Sequence, residues 1–345
     1  MTAGVGSTAK VAVTVHEQLE PRGRPAATVR SKLLLAAAGA TCCAGLLAVV
    51  PFVASSFATS TLTQVLAFAI LCLSLQILMG WTGMVSLGQA GYFGVAGYAV
   101  GLAAVHLTTN ALLLLVIGAV AGALIAAATG WLMVRSAGGY LLMLTLAIGE
   151  LLATAANSWQ SLTGGYNGLA AIPAFTVGGT TLDSPAWNYW YVLAVFLICY
   201  ALLAVIGSSP FARALRGIRD NEPRMRSLGY PTRVYKFSVF CLAGGVAGVA
   251  GSAWVSQARF IAPSDLGYLN SAFVLVAVAV GGTARQWGPC LGAALIIVAQ
   301  QMLPSALEGK GPLVLGIVLI AVVYGLPGGA CSAPARLRAL MGRLR

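Results

Sequence analysis

Residues 111–134 read Ala111-LLLLVIGAVAGALIAAATGWLM-Val134, an uninterrupted apolar stretch without a single charge. At about 1.5 Å of rise per residue, a helix of this length crosses the hydrocarbon core of a bilayer. Working outward in both directions, the same reading gives runs at 33–54, 61–79, 87–105, 111–134, 139–158, 188–206, 237–255, 269–282, 288–303 and 312–325. These imply an all-α, polytopic transmembrane helix bundle of about 8–10 spans. The runs 269–282, 288–303 and 312–325 are short for a full crossing and read as tilted, broken or re-entrant. Composition agrees. Of 345 residues 59% are apolar and only 8% charged, against about 25% charged in soluble domains. Intrinsic disorder, collagen and a disulfide scaffold are excluded on those figures, and a water-soluble enzyme nearly so, because so few charges cannot solvate the surface of a chain this size.

Charge placement orients the bundle. Residues 1–32 carry Lys10, Arg22, Arg24, Arg30 and Lys32 among Glu17, Glu20, Pro21 and Pro25. That stretch is too long and mixed for a signal peptide, and the run after it is long enough to span. It reads as a disordered cytoplasmic arm, followed by a membrane domain over 33–328 and a basic tail over 329–345. With the N-terminus inside and the spans alternating, 18 of the 20 Lys and Arg fall on the cytoplasmic side, leaving only Arg259 and Lys310 outside. The positive-inside rule therefore puts both termini in the cytoplasm.

Glycine is patterned. Gly97 and Gly101, Gly118 and Gly122, Gly244 and Gly248, and Gly288 and Gly292 are spaced four apart, which lets helix backbones approach closely in lipid. Two Gly-rich junctions, Gly80-Trp81-Thr82-Gly83-Met84-Val85-Ser86-Leu87-Gly88-Gln89-Ala90-Gly91 and Gly281-Gly282-Thr283-Ala284-Arg285-Gln286-Trp287-Gly288-Pro289, read as breaks in helices on the cytoplasmic side. Transporters build such breaks around substrate paths. Both junctions hold a Trp, which hints at an internal repeat. The seven cysteines lack any C-x-x-C or Cys/His spacing and read mostly as small buried hydrophobes. The two histidines, His16 and His106, lie in the arm and at a helix end, and there is no G-x-x-x-x-G-K-[ST] nucleotide loop. No cofactor, metal or nucleic-acid site is expected, and no nucleophile and base pair can be assembled.

One carboxylate, Glu150, lies within a span. A carboxylate there is costly; it serves either as part of a solute path or as a hydrogen-bonding group that holds a helix. On the cytoplasmic side, loop 207–236 contains Ser209-Pro210-Phe211-Ala212-Arg213-Ala214-Leu215-Arg216-Gly217-Ile218-Arg219-Asp220-Asn221-Glu222-Pro223. Ser209 is a good N-cap and Pro210 suits the first helical position. Phe211, Leu215 and Ile218 form an apolar stripe, with Arg213, Arg216 and Arg219 on other faces. A second short helix is expected from Pro223 to Leu228, ended by Gly229 and Pro231. The stripe is expected to fill a groove on a cytoplasmic partner, with the arginines steering it. The long outer connection 159–187, with Leu162-Thr163-Gly164-Gly165-Tyr166-Asn167-Gly168-Leu169 and Asp183 as its sole charge, is expected to lie over the outer mouth.

Five stretches carry a resemblance, in order along about 61–328: Trp81 to Ala90; Gly139 to Leu146; Leu162 to Leu169 with Ile172-Pro173; Ser209 to Arg216 with Arg219 to Glu222; and Gly281-Gly282 with Trp287-Gly288-Pro289 and Leu291-Gly292-Ala293. They resemble the permeases of ATP-driven importers for branched-chain amino acids, specifically the longer of the two permeases in the heterodimeric pore. The resemblance implies a multi-pass cell-membrane subunit that is not itself an enzyme. It also implies a second homologous permease, two cytoplasmic ATPase subunits and an extracytoplasmic solute-binding protein as partners. Ser209, Pro210, Phe211, Arg213, Leu215, Arg216, Ile218, Arg219 and Glu222 would then belong to the ATPase-coupling segment. Gly83, Ser86, Gln89, Glu150, Gly164, Gly165, Asn167, Gly282, Gly288 and Pro289 are candidates for the translocation pathway. Two departures stand out: Gln89 occupies a usual His position, and Thr283-Ala284-Arg285-Gln286 replaces a smaller, more apolar linker. Importers of urea, amides and aromatic acids share this permease type, and the rival class is a stand-alone solute carrier or channel.

Overall fold

A computed structural model describes residues 55–136, 138–283 and 285–306, with side chains to residue 301. The arm, the runs 33–54 and 312–325 and the basic tail lie outside the described residues. The helices are α1 Ser56–Ile77, continued by a π-helical turn Leu78–Thr82, α2 Gln89–His106, α3 Ala111–Met133, α4 Gly138–Ser158 and α5 Gln160–Thr163. After a two-stranded hairpin, β1 Thr176–Val177 with β2 Thr180–Thr181, come α6 Pro185–Ser208, α7 Pro210–Asp220, α8 Glu222–Ser227, α9 Thr232–Ala258, α10 Tyr268–Gly281 and α11 Gly288–Ala306. Among the described residues, α1 with its π turn, α3, α4, α6 and α9 are long and apolar enough to cross a membrane. The architecture is all-α and polytopic, as the sequence predicts.

Two helices form the centre. α1 is buried continuously from Val65 to Ile77, and packs against α6, α9, α10 and α11. α9 packs against α1, α2 and α3. The glycine pairs explain the closeness. Gly118 and Gly122 on α3 face Gly244 and Gly248 on α9 so directly that a Cβ at Gly118 would lie 2.8 Å from the Gly248 carbonyl oxygen. A Cβ at Gly248 would overlap the Gly118 carbonyl in turn. With no hydrophobic drive between helices in lipid, this backbone contact maximises dispersion. The four-apart spacing on each helix is thus two halves of one interface. Gly97 instead meets Ile261 and Val255, Gly101 meets Leu169 and Ile172, and Gly292 meets Ala277.

The outer connection folds back onto this core. Leu169 and Ile261 form an antiparallel bridge, and the Ile172 amide donates to the Arg259 carbonyl at 3.4 Å. A side chain at Gly168 would strike the Ile261 carbonyl, and its φ of +70° also favours glycine. The connection therefore lies over the C-terminal end of α2, against Gly101.

Candidate coupling and pathway site

The first junction is a true break. α1 widens into the π turn, Gly83 closes it in the left-handed region at φ +71°, and the chain runs without helix to Gly88. π-helical turns concentrate at functional sites. α2 then starts inside the bundle, where its first amides need partners that lipid cannot give. The Gly88 amide donates to Ser86 Oγ at 3.2 Å, the Leu87 amide to Thr145 Oγ1 on α4 at 3.0 Å, and the Ala90 amide to Ser271 Oγ on α10 at 3.1 Å. Gln89 is 1% exposed; its Oε1 accepts from Ser74 Oγ at 3.4 Å, while its Nε2 has no hydrogen-bond partner among the described residues.

Glu150 completes this arrangement. Its Oε1 accepts from the Tyr268 amide, the first residue of α10, at 2.8 Å. A carboxylate at the positive end of a helix is doubly favoured, by the hydrogen bond and by the helix dipole. This hydrogen bond joins α4 to the start of α10. The starts of α2 and α10 thus both converge on α4 over Thr145 to Glu150. Sequence reasoning finds Ser86, Gln89 and Glu150 but misses Thr145, Ser271 and Ser74. Hydroxyls inside otherwise apolar runs were the available signal, because such groups seek partners across helices.

The cytoplasmic layer is built on α7. Ser209 caps it, Oγ accepting from the Ala212 amide at 3.4 Å, and Pro210 follows. Its apolar side carries a correction. Leu215 and Ile218 are buried at 0% and 2% exposure against the π turn, α6 and α9. Phe211 stacks on Tyr235 of α9, ring centroids 5.5 Å apart. The stripe anchors α7 to its own chain and is not free to fill a partner's groove: an exposed apolar side chain buries against the nearest apolar surface, and the bundle provides it.

Two of the arginines also serve the fold. Arg216 Nε donates to the Ala212 carbonyl at 3.2 Å and its Nη2 to the Gly207 carbonyl. Arg219 Nη1 donates to the Gly80 carbonyl in the π turn at 2.6 Å, and its stem packs on Gly83. Both therefore strap α7 to α6 and to the first break. Arg213 faces outward and is exposed.

The second short helix begins at Glu222, one residue before the expected start. Asn221 caps it, accepting from the Arg224 amide at 3.0 Å, and Pro223 is tolerated in the first turn, where no intrahelical donor is needed. Glu222 accepts from Lys236 Nζ at 2.6 Å, Arg226 Nη2 at 2.7 Å and the Thr232 hydroxyl at 3.1 Å. Partial burial pushes its carboxyl up, but the Lys236 and Arg226 hydrogen bonds outweigh this and hold it below the usual range. Glu222 therefore clasps α8 to the start of α9.

The second junction meets the first. Gln76 Nε2 on α1 donates to the Arg285 carbonyl at 2.9 Å, and Gln286 Nε2 donates to the Tyr200 carbonyl on α6 at 2.8 Å. Gly282 has φ +87°, and Gly281 abuts the Gly288 carbonyl and Pro289. Gly164 and Gly165 take left-handed turns on the outer side, where Asn167 is exposed. The ten pathway candidates thus fall at three levels: Ser86, Gln89 and Glu150 within the bundle, Gly83, Gly282, Gly288 and Pro289 near the two junctions, and Gly164, Gly165 and Asn167 in the long connection at the opposite end. They do not form one pocket.

Broken helices within a bundle of apolar helices are a feature of membrane transport proteins. A family model described as the branched-chain amino acid transport system permease component matches residues 57–323, and the chain belongs to that family. It is a multi-pass membrane protein of a transport system that has other components. It is 26% identical over 301 residues to the high-affinity branched-chain amino acid transport system permease protein LivM of Escherichia coli, covering 79% of this chain and 70% of the relative. The Salmonella typhimurium LivM protein is 28% identical over 298 residues, with the same coverage. The autoinducer 2 import system permease protein LsrC of Salmonella typhi is 30% identical over 169 residues, covering 49% of this chain and 45% of the relative. No solved structure matches.

Proposed function

We propose that this chain is one of two homologous permease subunits of an ATP-driven importer, forming half of the translocation pathway for branched-chain amino acids. Two cytoplasmic ATPase subunits hydrolyse ATP, and an extracytoplasmic binding protein delivers the solute. Both termini lie in the cytoplasm, in keeping with the placement of Lys and Arg. The carrying observation is the Arg219 to Gly80 hydrogen bond, 2.6 Å long. It ties a surface helix to a break in a core helix, so displacement of α7 by an ATPase is transmitted directly to the segment that leads into α2. The outward contact falls to exposed groups such as Arg213 and Arg224, while the buried stripe keeps α7 rigidly seated.

The test uses the reconstituted complex. Arg219→Ala is expected to leave ATP hydrolysis stimulated by loaded binding protein while uptake per ATP falls about tenfold, the signature of a lost link and not of lost docking. Arg213→Ala with Arg224→Ala is expected to lower ATPase retention on the membrane instead. Unchanged uptake per ATP in Arg219→Ala, with the complex intact, sinks the coupling reading.

A further inference from the structure

α1 and α6 line a shared cavity of about 610 Å³. From α1, Gln76 and Ile77 line it together with the two residues one turn on, in the π turn; from α6, Leu203 and Ala204 do so together with the two residues one turn on. Each set is the i, i+1, i+4, i+5 pattern of a single helix face. Arg216 and Arg219 of α7 and Gln286 of the second junction join the lining, and none of the ten pathway candidates does. The volume falls in the range of about 300–1,000 Å³ usual for small-molecule sites.

The lining supplies three kinds of group. Arg216 spends Nε and Nη2 on the Ala212 and Gly207 carbonyls. Its Nη1 is uncommitted, and no carboxylate pairs with it among the described residues. Arg219 differs: it meets the Gly80 carbonyl and the Asp220 carboxylate. Gln76 and Gln286 give their amide nitrogens to the Arg285 and Tyr200 carbonyls, at 2.9 and 2.8 Å. Their amide oxygens are left uncommitted among the described residues. Ile77, Trp81 and Leu203 add apolar surface. One cavity thus offers a cationic donor, two neutral acceptors and an aliphatic and aromatic lining.

We propose that this cavity binds a zwitterionic α-amino acid with an aliphatic side chain, its carboxylate on Arg216, its ammonium on the Gln76 and Gln286 amide oxygens and its side chain on Ile77, Trp81 and Leu203. A guanidinium is well shaped for a carboxylate, amide oxygens accept from an ammonium, and a few polar groups in an apolar lining fix a small ligand's orientation. A simple inorganic anion would use Arg216 and leave the two amide oxygens and the apolar lining without partners. The bound amino acid would bridge α7, α1 and the second junction, at the end of the bundle that faces the cytoplasm in the orientation proposed above. The class of solute rests on the proposed function; the site adds a place for that solute apart from the pathway candidates.

Equilibrium binding of radiolabelled leucine to the purified complex, freed of its binding protein, tests the site. Three competitors each lack one feature: 4-methylpentanoate has no ammonium, 3-methylbutylamine no carboxylate and glycine no aliphatic side chain. Each is expected to compete at least about tenfold less well than leucine, and this series needs no variant. Ala204→Phe then fills the cavity while leaving Arg216, Gln76 and Gln286 in place; it should weaken leucine binding about tenfold or more, with uptake driven by the binding protein retained. Equal competition by any of the three analogues, or unchanged leucine binding in Ala204→Phe, would overturn the assignment. Loss of uptake together with binding in Ala204→Phe would put the cavity in the translocation path and overturn it as a separate site. No leucine binding while wild-type uptake of leucine proceeds would sink this inference alone, whereas wild-type complex that takes up no leucine would sink the proposed function.

Discussion

α7 and α2 begin in opposite ways. α7 carries its own start: Ser209 accepts from the amide three residues on, Pro210 follows, and no other helix is needed. α2 starts at Gly88-Gln89, with a hydroxyl from α4 on the Leu87 amide just before it and another from α10 on the Ala90 amide in its first turn. α10 in turn takes Glu150 of α4 at its first amide. A self-capped helix is a unit that can shift as a body while its own hydrogen bonds stay made. A start capped by its neighbours exists only when three helices are already in register, and moving any one of them breaks bonds on the others. The first belongs where a partner pushes, the second where the bundle must hold its geometry within lipid.

The largest expected effect strikes the shared start. A Cβ at Gly88 would lie 2.8 Å from the Thr145 carbonyl oxygen, and backbone cannot yield as a side-chain tip does. Gly88→Val should therefore cost about 3 kcal/mol or more through overpacking. The measurement is the yield of monodisperse complex and its melting temperature in detergent; near wild-type values would mean that α2 starts independently of α4. Next comes Glu150. Glu150→Ala removes the acceptor for the Tyr268 amide and should destabilise by about 1 kcal/mol. Glu150→Gln keeps an oxygen there and should retain assembly and most transport. Abolished transport in a well-assembled Glu150→Gln complex would show that the negative charge serves the solute path.

What the sequence made legible follows the same division. Ser209-Pro210, the stripe of Leu215 and Ile218, and the stop at Gly229 and Pro231 are local signals, so the boundaries of α7 and α8 could be read within a residue or two. The surface that the stripe covers could not, because the π turn it meets is remote in sequence. Glu150 was conspicuous as a carboxylate in an apolar run. Its partner was invisible, being a backbone amide 118 residues away. Gly118, Gly122, Gly244 and Gly248 announced close packing, but their spacing could not say that the two pairs face each other. Thr145 and Ser271 look ordinary in apolar helices until the unpaired amides of α2 are brought beside them.

A smaller effect falls on the self-capped start. Ser209→Ala removes one cap and should destabilise α7 by about 1 kcal/mol. Because the cap is local, the change should be confined: hydrogen exchange should quicken at the amides of the first turn of α7, while those at the start of α2 stay as protected as before. Equal loosening at both places would mean that the cap of α7, and not the Arg219 to Gly80 hydrogen bond alone, supports the break, and the contrast between the two starts would dissolve.

The smallest effect concerns Glu222, in the clasp next to α7. Its carboxyl titrates below its ordinary value of 4.5 in the folded chain, burial being outweighed by the Lys236 and Arg226 hydrogen bonds. A group with a depressed folded value stabilises the fold above its unfolded value, and that contribution is lost as pH falls through the folded one. Protection of the amides of α8 and the first turn of α9, corrected for intrinsic exchange, should therefore stay flat from neutral pH down to about 4.5 and fall only in stronger acid. Glu222→Gln should remove the acid step and lower protection modestly at neutral pH, since Lys236 is nearly buried and loses its counter-charge. The side chain of Arg226 is more than half exposed, so its share of the clasp is screened by solvent. A decline already under way between neutrality and pH 5 would mean that Glu222 is not held by these partners, and α8 would then be anchored by the Asn221 cap, the packing of Met225 on Gly217 and the Arg226 to Thr232 hydrogen bond.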